Sequence, residues 1–268
     1  MIKISNNFDL DNTITCGQIF RYEIIDNGYI VILKDRVVSL IKDDNYILVE
    51  SNKEDNLKDI IYDYLDLNTD YNKIVDDLNK MDNKLRCNRG LKMIHQDPLE
   101  TIISYIISQN NRVPSITKSL NLISKQYGKK VIFKNKEYYL FPTLEELKKL
   151  NINDFRNCKV GFRDKYLYNI VNSDLDINKI YNMNSLEALD YLMDFNGIGM
   201  KVASCILLFA YKKYDVFPID TWVKKYMKDE YNIEGEKNIK KFAKEKYGNY
   251  SGLAIQYMFN SKRNIEVR

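Results

Sequence analysis

The chain has 268 residues, room for one large domain or two modest ones, and its 45% hydrophobic and 29% charged residues are ordinary for a globular protein. A formal net charge of +4 permits nucleic acid as a partner without demanding it. No apolar run approaches the ~20 residues of a membrane helix, and Cys16, Cys87, Cys158 and Cys205 with the single His95 form no zinc, iron–sulfur or multi-histidine set, so neither a metal nor a cofactor is expected.

The opening MIKISNNFDLDN lacks the apolar stretch of a signal peptide, which predicts a cytoplasmic location. Short β-branched or aromatic runs follow at Phe20–Ile25, Tyr29–Leu33, Val37–Ile41 and Tyr46–Glu50, separated by Asp26-Asn27-Gly28, Lys34-Asp35 and Asp43-Asp44-Asn45. Four strands so closely spaced read as an antiparallel meander. Two polar helical stretches, about 54–66 and 70–80, come next.

After residue 85 the apolar period changes to about 3.6. Asp97-Pro98-Leu99-Glu100 is a helix start: Asp97 can cap, Pro98 suits the first position and Glu100 can reach back to close a capping box. Leu99, Ile102, Ile103 and Ile106 make the buried stripe, the helix ends near Gln109-Asn110-Asn111, and Pro114 opens another. Ser185 is read as the cap of a helix carrying Leu186, Leu189 and Leu192, which ends at Asn196-Gly197. A helix after Gly199 turns Val202, Cys205, Ile206 and Phe209 to the core. The expected fold is α+β: an antiparallel β-sheet domain with helices at residues 1–84, then an all-α domain at 85–268.

Chemistry concentrates in Phe195-Asn196-Gly197-Ile198-Gly199-Met200-Lys201-Val202-Ala203. Two glycines two apart between helices make a tight turn whose backbone can approach a phosphate, and the amides opening the next helix point the same way. Such a hairpin grips a nucleic-acid backbone without reading its sequence. Lys201 lies in the first turn of that helix, where the dipole disfavours a cation, so a neutral nucleophilic amine becomes accessible. Asp220, in Val216-Phe217-Pro218-Ile219-Asp220-Thr221-Trp222, follows an extended stretch and precedes a helix. It can cap that helix and also face Lys201, where a carboxylate stabilises positive charge on a sugar.

Gly197-x-Gly199-x-Lys201 followed by Pro218-x-Asp220 resembles the helix–hairpin–helix motif and Gly/Pro–Asp loop of base-excision DNA glycosylases. Within that superfamily, four further segments resemble the 8-oxoguanine DNA glycosylases in the same order. They are Cys16-Gly17-Gln18-Ile19-Phe20-Arg21, Gln96-Asp97-Pro98-Leu99-Glu100, Ser108-Gln109-Asn110-Asn111 and Gly161-Phe162-Arg163-Asp164-Lys165-Tyr166. The resemblance runs over residues 8–260.

It implies an enzyme that flips 8-oxoguanine out of duplex DNA, excises it and nicks the strand, working as a nucleoid-associated monomer. Lys201 is then the nucleophile and Asp220 its carboxylate partner, with Pro218 in the same loop. The Gly17 carbonyl accepts from N7–H of the lesion, a proton guanine lacks. Cys205 and Phe259 pack on the flipped base, and the glutamine expected at its edge falls on Ile255 or, one residue on, Gln256. Asn110 fills the vacated space, flanked by Gln109 and Asn111; Phe162 wedges at the estranged base and Arg163 bonds it. Gly197, Gly199 and Trp222 lie on the phosphate-gripping side. Trp222 stands where a histidine is common. Ser115 replaces an arginine that helps read an opposing cytosine, which implies relaxed selectivity.

The rival readings are a glycosylase of the same superfamily for another damaged or mispaired base, and a non-catalytic DNA-binding module. An iron–sulfur member carries four clustered C-terminal cysteines, which this sequence lacks. A mere DNA grip would not need a lysine at 201 and an aspartate at 220.

Overall fold

The computed structural model describes residues 1–85, 87 and 89–266, with side chains to residue 261. The expected meander is present as β2 (Tyr22–Ile25), β3 (Gly28–Ile32), β4 (Val37–Lys42) and β5 (Tyr46–Ser51). β1 (Ile2–Ser5) was not foreseen; it pairs antiparallel with β5 to give the order β1-β5-β4-β3-β2. Helix α1 (Leu10–Thr15), capped by Asp9, precedes β2. Helices α2 (Leu57–Tyr64) and α3 (Tyr71–Met81) replace the two polar helical stretches, and the Asp70 carboxylate accepts from Lys73 N at the start of α3.

Both faces of the sheet are covered, which is why β4 reads as a nearly continuous apolar run, broken at Ser39, and not as an alternation. Val31, Val38, Leu40, Ile47 and Val49 pack with Leu57 and Ile61 of α2 on one side. On the other, Ile30 and Val37 lie under Phe133, Tyr138 and Leu140. Phe133 and Tyr138 belong to a hairpin, β6 (Lys130–Phe133) and β7 (Lys136–Tyr139), a small addition to the helical half, and Leu140 follows it directly. Its two-residue turn puts Lys134 and Asn135 at positive φ, as a type I′ turn requires.

The helical half is α4 (Pro98–Ser108), α5 (Val113–Tyr127), α6 (Leu144–Lys148), α7 (Ile152–Asn157), α8 (Asp164–Val171), α9 (Ser185–Met193), α10 (Met200–Ala210), α11 (Thr221–Tyr231), α12 (Glu236–Tyr247) and α13 (Ser251–Glu266). Helices α4 and α10 pack at the centre, and Ile102, Ile103, Ile106, Ala203, Ile206 and Leu207 are essentially without solvent exposure. The cores do not part at 84/85. Tyr71, Ile74, Val75 and Leu78 of α3 belong to the helical core, while Ile94 packs with the sheet.

Three local expectations are corrected. Asn184, not Ser185, caps α9, because its side chain accepts from Leu186 N and Glu187 N while Glu187 closes the box. Leu186 is 70% exposed and stands off the buried stripe. Asp97 does cap α4, but Glu100 turns to the Arg21 guanidinium at 3.2 Å instead of back to the cap. No helix among the described residues is long and apolar enough to cross a membrane.

Candidate active site

Lys201 enters from the first turn of α10 into a cleft of about 680 Å³ bounded by Ser108–Asn111, by Gly199–Val202 and by Ile219–Thr221. Its Nζ donates to Ser108 Oγ at 3.5 Å and stands 5.4 Å from the centre of the Tyr105 ring. Ser108 in turn donates to the Tyr105 carbonyl at 2.8 Å, which leaves its oxygen lone pairs for the lysine. The Tyr105 ring is fixed by stacking on Phe209 and by the edge of Phe20. Among the described residues, no ion pair joins Lys201 to Asp220, although both line the cleft.

The glycines of the hairpin do different jobs. Gly197 has φ +95, and an added Cβ would stand 2.7 Å from Cβ of Tyr166. Gly199 is extended and caps α10, and a Cβ built there meets no protein atom within 4 Å. The space it leaves open therefore faces outward, beside amides at the start of α10 that have no intrahelical acceptor. Asp220 caps α11 by accepting from Val223 N with Oδ1 at 2.8 Å, which leaves Oδ2 for the cleft. Pro218 is buried just before it.

The acceptor loop expected from the sheet half lies outside the lining of this cleft. Gly17 sits at φ +92 after α1, and among the described residues nothing donates to its carbonyl. Its neighbour Gln18 is a buried peg. The peg donates to the Lys92 and Thr13 carbonyls and accepts from Ile94 N, while Gln96 donates to the Gln18 carbonyl. Gln256 reaches this segment, with Nε2 at 3.2 Å from Cys16 Sγ; Ile255 is turned into the helical core. Cys205 is buried one turn after Lys201, and burial pushes its thiol up to about 11 against the opposing pull of the Lys201 charge. Phe259 is half-buried with its ring 5.1 Å from that of Trp222, which stacks on Tyr226.

On the outer rim, Asn110 is exposed at φ +47 and Phe162 is 58% exposed. The other rim residues are engaged in holding the loop. Arg163 is buried; its guanidinium donates to the carbonyls of Gln109, Asn110 and Val160 and lies over the Phe162 ring. Gln109 Nε2 donates to the Gly197 carbonyl at 3.0 Å, tying this loop to the hairpin. Asn111 donates to Ile107 O and accepts from Arg112 N. Arg163 thus supports Asn110 from within the protein, while Gln109 and Asn111, half-buried, line the cleft with part of their polar groups spent on the loop. Tyr105, Lys224 and Lys240 are cleft or near-cleft residues that the sequence reading missed. Tyr105 looked like one more member of an apolar stripe, and the lysines were two among many.

A family model described as the N-terminal domain of 8-oxoguanine DNA glycosylase matches residues 1–102. A probable N-glycosylase/DNA lyase of Methanothermobacter thermautotrophicus is 30% identical over 204 residues, 67% of this chain. The match covers 65% of that relative, so the chain spans just under two thirds of its length. The solved structure of Clostridium acetobutylicum 8-oxoguanine glycosylase/lyase, in complex with dsDNA containing cytosine opposite to 8-oxoG, is 38% identical with a TM-score of 0.89. It covers 97% of this chain and 93% of that one. MBOgg1 in complex with a low-affinity DNA ligand is 33% identical with a TM-score of 0.93, over 98% and 96% of the two chains. With the hairpin lysine and Asp220 set in one cleft, and with these matches spanning both halves, the chain belongs to the family of 8-oxoguanine DNA glycosylase/lyases.

Proposed function

We propose that the protein is a bifunctional repair enzyme that excises 8-oxoguanine from duplex DNA and then cleaves the strand. The observation that carries this reading is the placement of Lys201 Nζ on the wall of a cleft that also contains Asp220, beside an outward-open hairpin. The unpaired Gly17 carbonyl supplies the discrimination: a half-buried acceptor gains a bond from the N7–H of 8-oxoguanine and faces only a lone pair on guanine.

The neutral amine of Lys201 attacks C1′ as the bond from C1′ to the base breaks, and the bonding pair leaves with the base. The proton lost by the lysine nitrogen balances the one the base takes up. Positive charge that builds on the sugar is met by the free oxygen of Asp220. The sugar ring then opens to a Schiff base, a proton leaves C2′, and the 3′ phosphate departs with its bonding pair. Cys205, Phe259 and Gln256 form the receptacle for the base. Asn110, held by Arg163 and Gln109 from behind, takes its place in the stack, with Phe162 beside it. One chain supplies all these groups, so a monomer suffices. A substrate of this kind also puts the protein with the nucleoid.

Single-turnover excision tests the reading. Wild type is expected to release base from a duplex with 8-oxoguanine opposite cytosine and to leave an undamaged duplex intact. Lys201→Gln is expected to bind the damaged duplex and release nothing. Excision by that variant would remove Lys201 from the mechanism.

A further inference from the structure

Helix α12, Glu-Lys-Asn-Ile-Lys-Lys-Phe-Ala-Lys-Glu-Lys-Tyr, buries Ile239, Ala243 and Tyr247 against α3 and the helical core. Its remaining surface carries Lys237, Lys240, Lys241 and Lys244, spaced i, i+3, i+4 and i+7 on one side of the helix. Lys237, Lys241 and Lys244 are exposed and Lys240 is half-buried. Among the described residues no carboxylate is in ion-pair contact with Lys237, Lys240 or Lys244, and Lys241 has only Glu245, at 3.9 Å. The acidic residue at the head of the helix, Glu236, is matched by Lys224 at 2.6 Å. Lys42 with Asp11 and Lys53 with Asp35 show the alternative, in which a neighbouring carboxylate neutralises the lysine.

The row is continuous with the candidate active site. Lys240, Lys224 and Glu236 line the same cleft as Lys201 and Asp220. From Lys237 to Lys244 the helix advances roughly 10 Å. Along B-DNA that distance passes about six phosphate charges, counting both strands.

We propose that this lysine row is a second grip on the duplex, binding backbone phosphates of the DNA that flanks the lesion. It rests on the reading of the cleft as a DNA glycosylase site, and extends it from the flipped nucleotide to the neighbouring helix. The hairpin amides hold the backbone at the damaged residue by short, directed bonds. The lysines act further out as flexible point charges, which add affinity and encounter rate without sequence preference.

The test compares wild type with two triple variants at Lys237, Lys241 and Lys244, all to Gln or all to Arg. Dissociation constants are measured on a duplex of about 25 base pairs with a central 8-oxoguanine, from 50 to 200 mM salt. The Gln variant is expected to bind about 10- to 100-fold more weakly at the lower salt, with the log–log salt slope reduced by about 2 to 3. Its single-turnover rate at saturating enzyme is expected to equal that of wild type, and the Arg variant to restore affinity and slope. An unchanged slope in the Gln variant would make the row a solvated surface and overturn the proposal. If wild type binds duplex DNA with the steep slope but releases no base, the glycosylase reading fails and the lysine row stands.

Discussion

Asp220 caps a helix and, in the proposed mechanism, faces the sugar, two duties that substitution can separate. Its side chain caps α11, and asparagine caps a helix as well as aspartate does. Asp220→Asn should therefore melt within a few degrees of wild type yet lose about 100-fold or more in single-turnover excision, because the charge that faces the sugar is gone. An active Asp220→Asn enzyme would reduce this residue to a cap. Ser115 lies exposed in the first turn of α5, two helical positions from the loop that bears Asn110. With no guanidinium there, excision rates opposite C, A, G and T are expected to fall within about 10-fold of one another; a strong cytosine preference would contradict this. That Lys201, Asp220 and Asn110 line one cleft could be anticipated because each sits in a short ordered motif. That Arg163, Gln109 and Asn111 bond carbonyls of the protein could not. Each has the same donor groups whether it bonds DNA or a carbonyl 53, 88 or 4 residues away, and only the fold decides which.

At the scale of elements, the hairpin gives the sharpest contrast. Gly197→Ala must accommodate both a positive φ and a close approach to Tyr166, and is expected to destabilise the protein by about 1–3 kcal/mol. Gly199→Ala meets open space and should cost under about 1 kcal/mol, while weakening duplex binding at least about 10-fold by obstructing the phosphate. Thermal melts and binding isotherms of the pair separate fold from function; if both variants lose only stability, the open face of Gly199 has no ligand. The strands of the meander were legible because compact turns separate their apolar runs. β1 was not, since four residues find their partner more than forty positions later. The β6–β7 hairpin was hidden by a Lys134-Asn135 turn, a weaker signal than Asn-Gly.

At the scale of the whole molecule, a polar clasp joins the sheet half to the helical core. Asp66, buried beside α2, accepts from the hydroxyls of Tyr71 and Tyr214 and pairs with Lys212 at 3.0 Å. Burial works to raise its carboxyl, but these three partners outweigh it and hold the group below its ordinary 3.8. A depressed folded value means that the stabilisation is present above the unfolded value and is lost as pH falls through the folded one. Asp66→Ala should therefore cost about 2–4 kcal/mol by urea unfolding at pH 7, and progressively less than that on acidification. An equal cost at pH 7 and pH 3 would mean that the charge does not matter. This clasp was illegible in the sequence, where Asp66, Tyr71, Lys212 and Tyr214 belong to unrelated segments. It bears on the proposed function, which draws Gly17 from one half and Lys201 and Asp220 from the other.

The central claim is that Lys201 forms a covalent bond with the sugar of a damaged nucleotide. Borohydride trapping on a duplex with one 8-oxoguanine opposite cytosine, followed by peptide mapping of the adduct, tests it directly. The account predicts a single adduct, on the peptide containing Lys201, absent from Lys201→Gln and absent with undamaged DNA. Base release without any trapped adduct, or an adduct on another lysine, would contradict it.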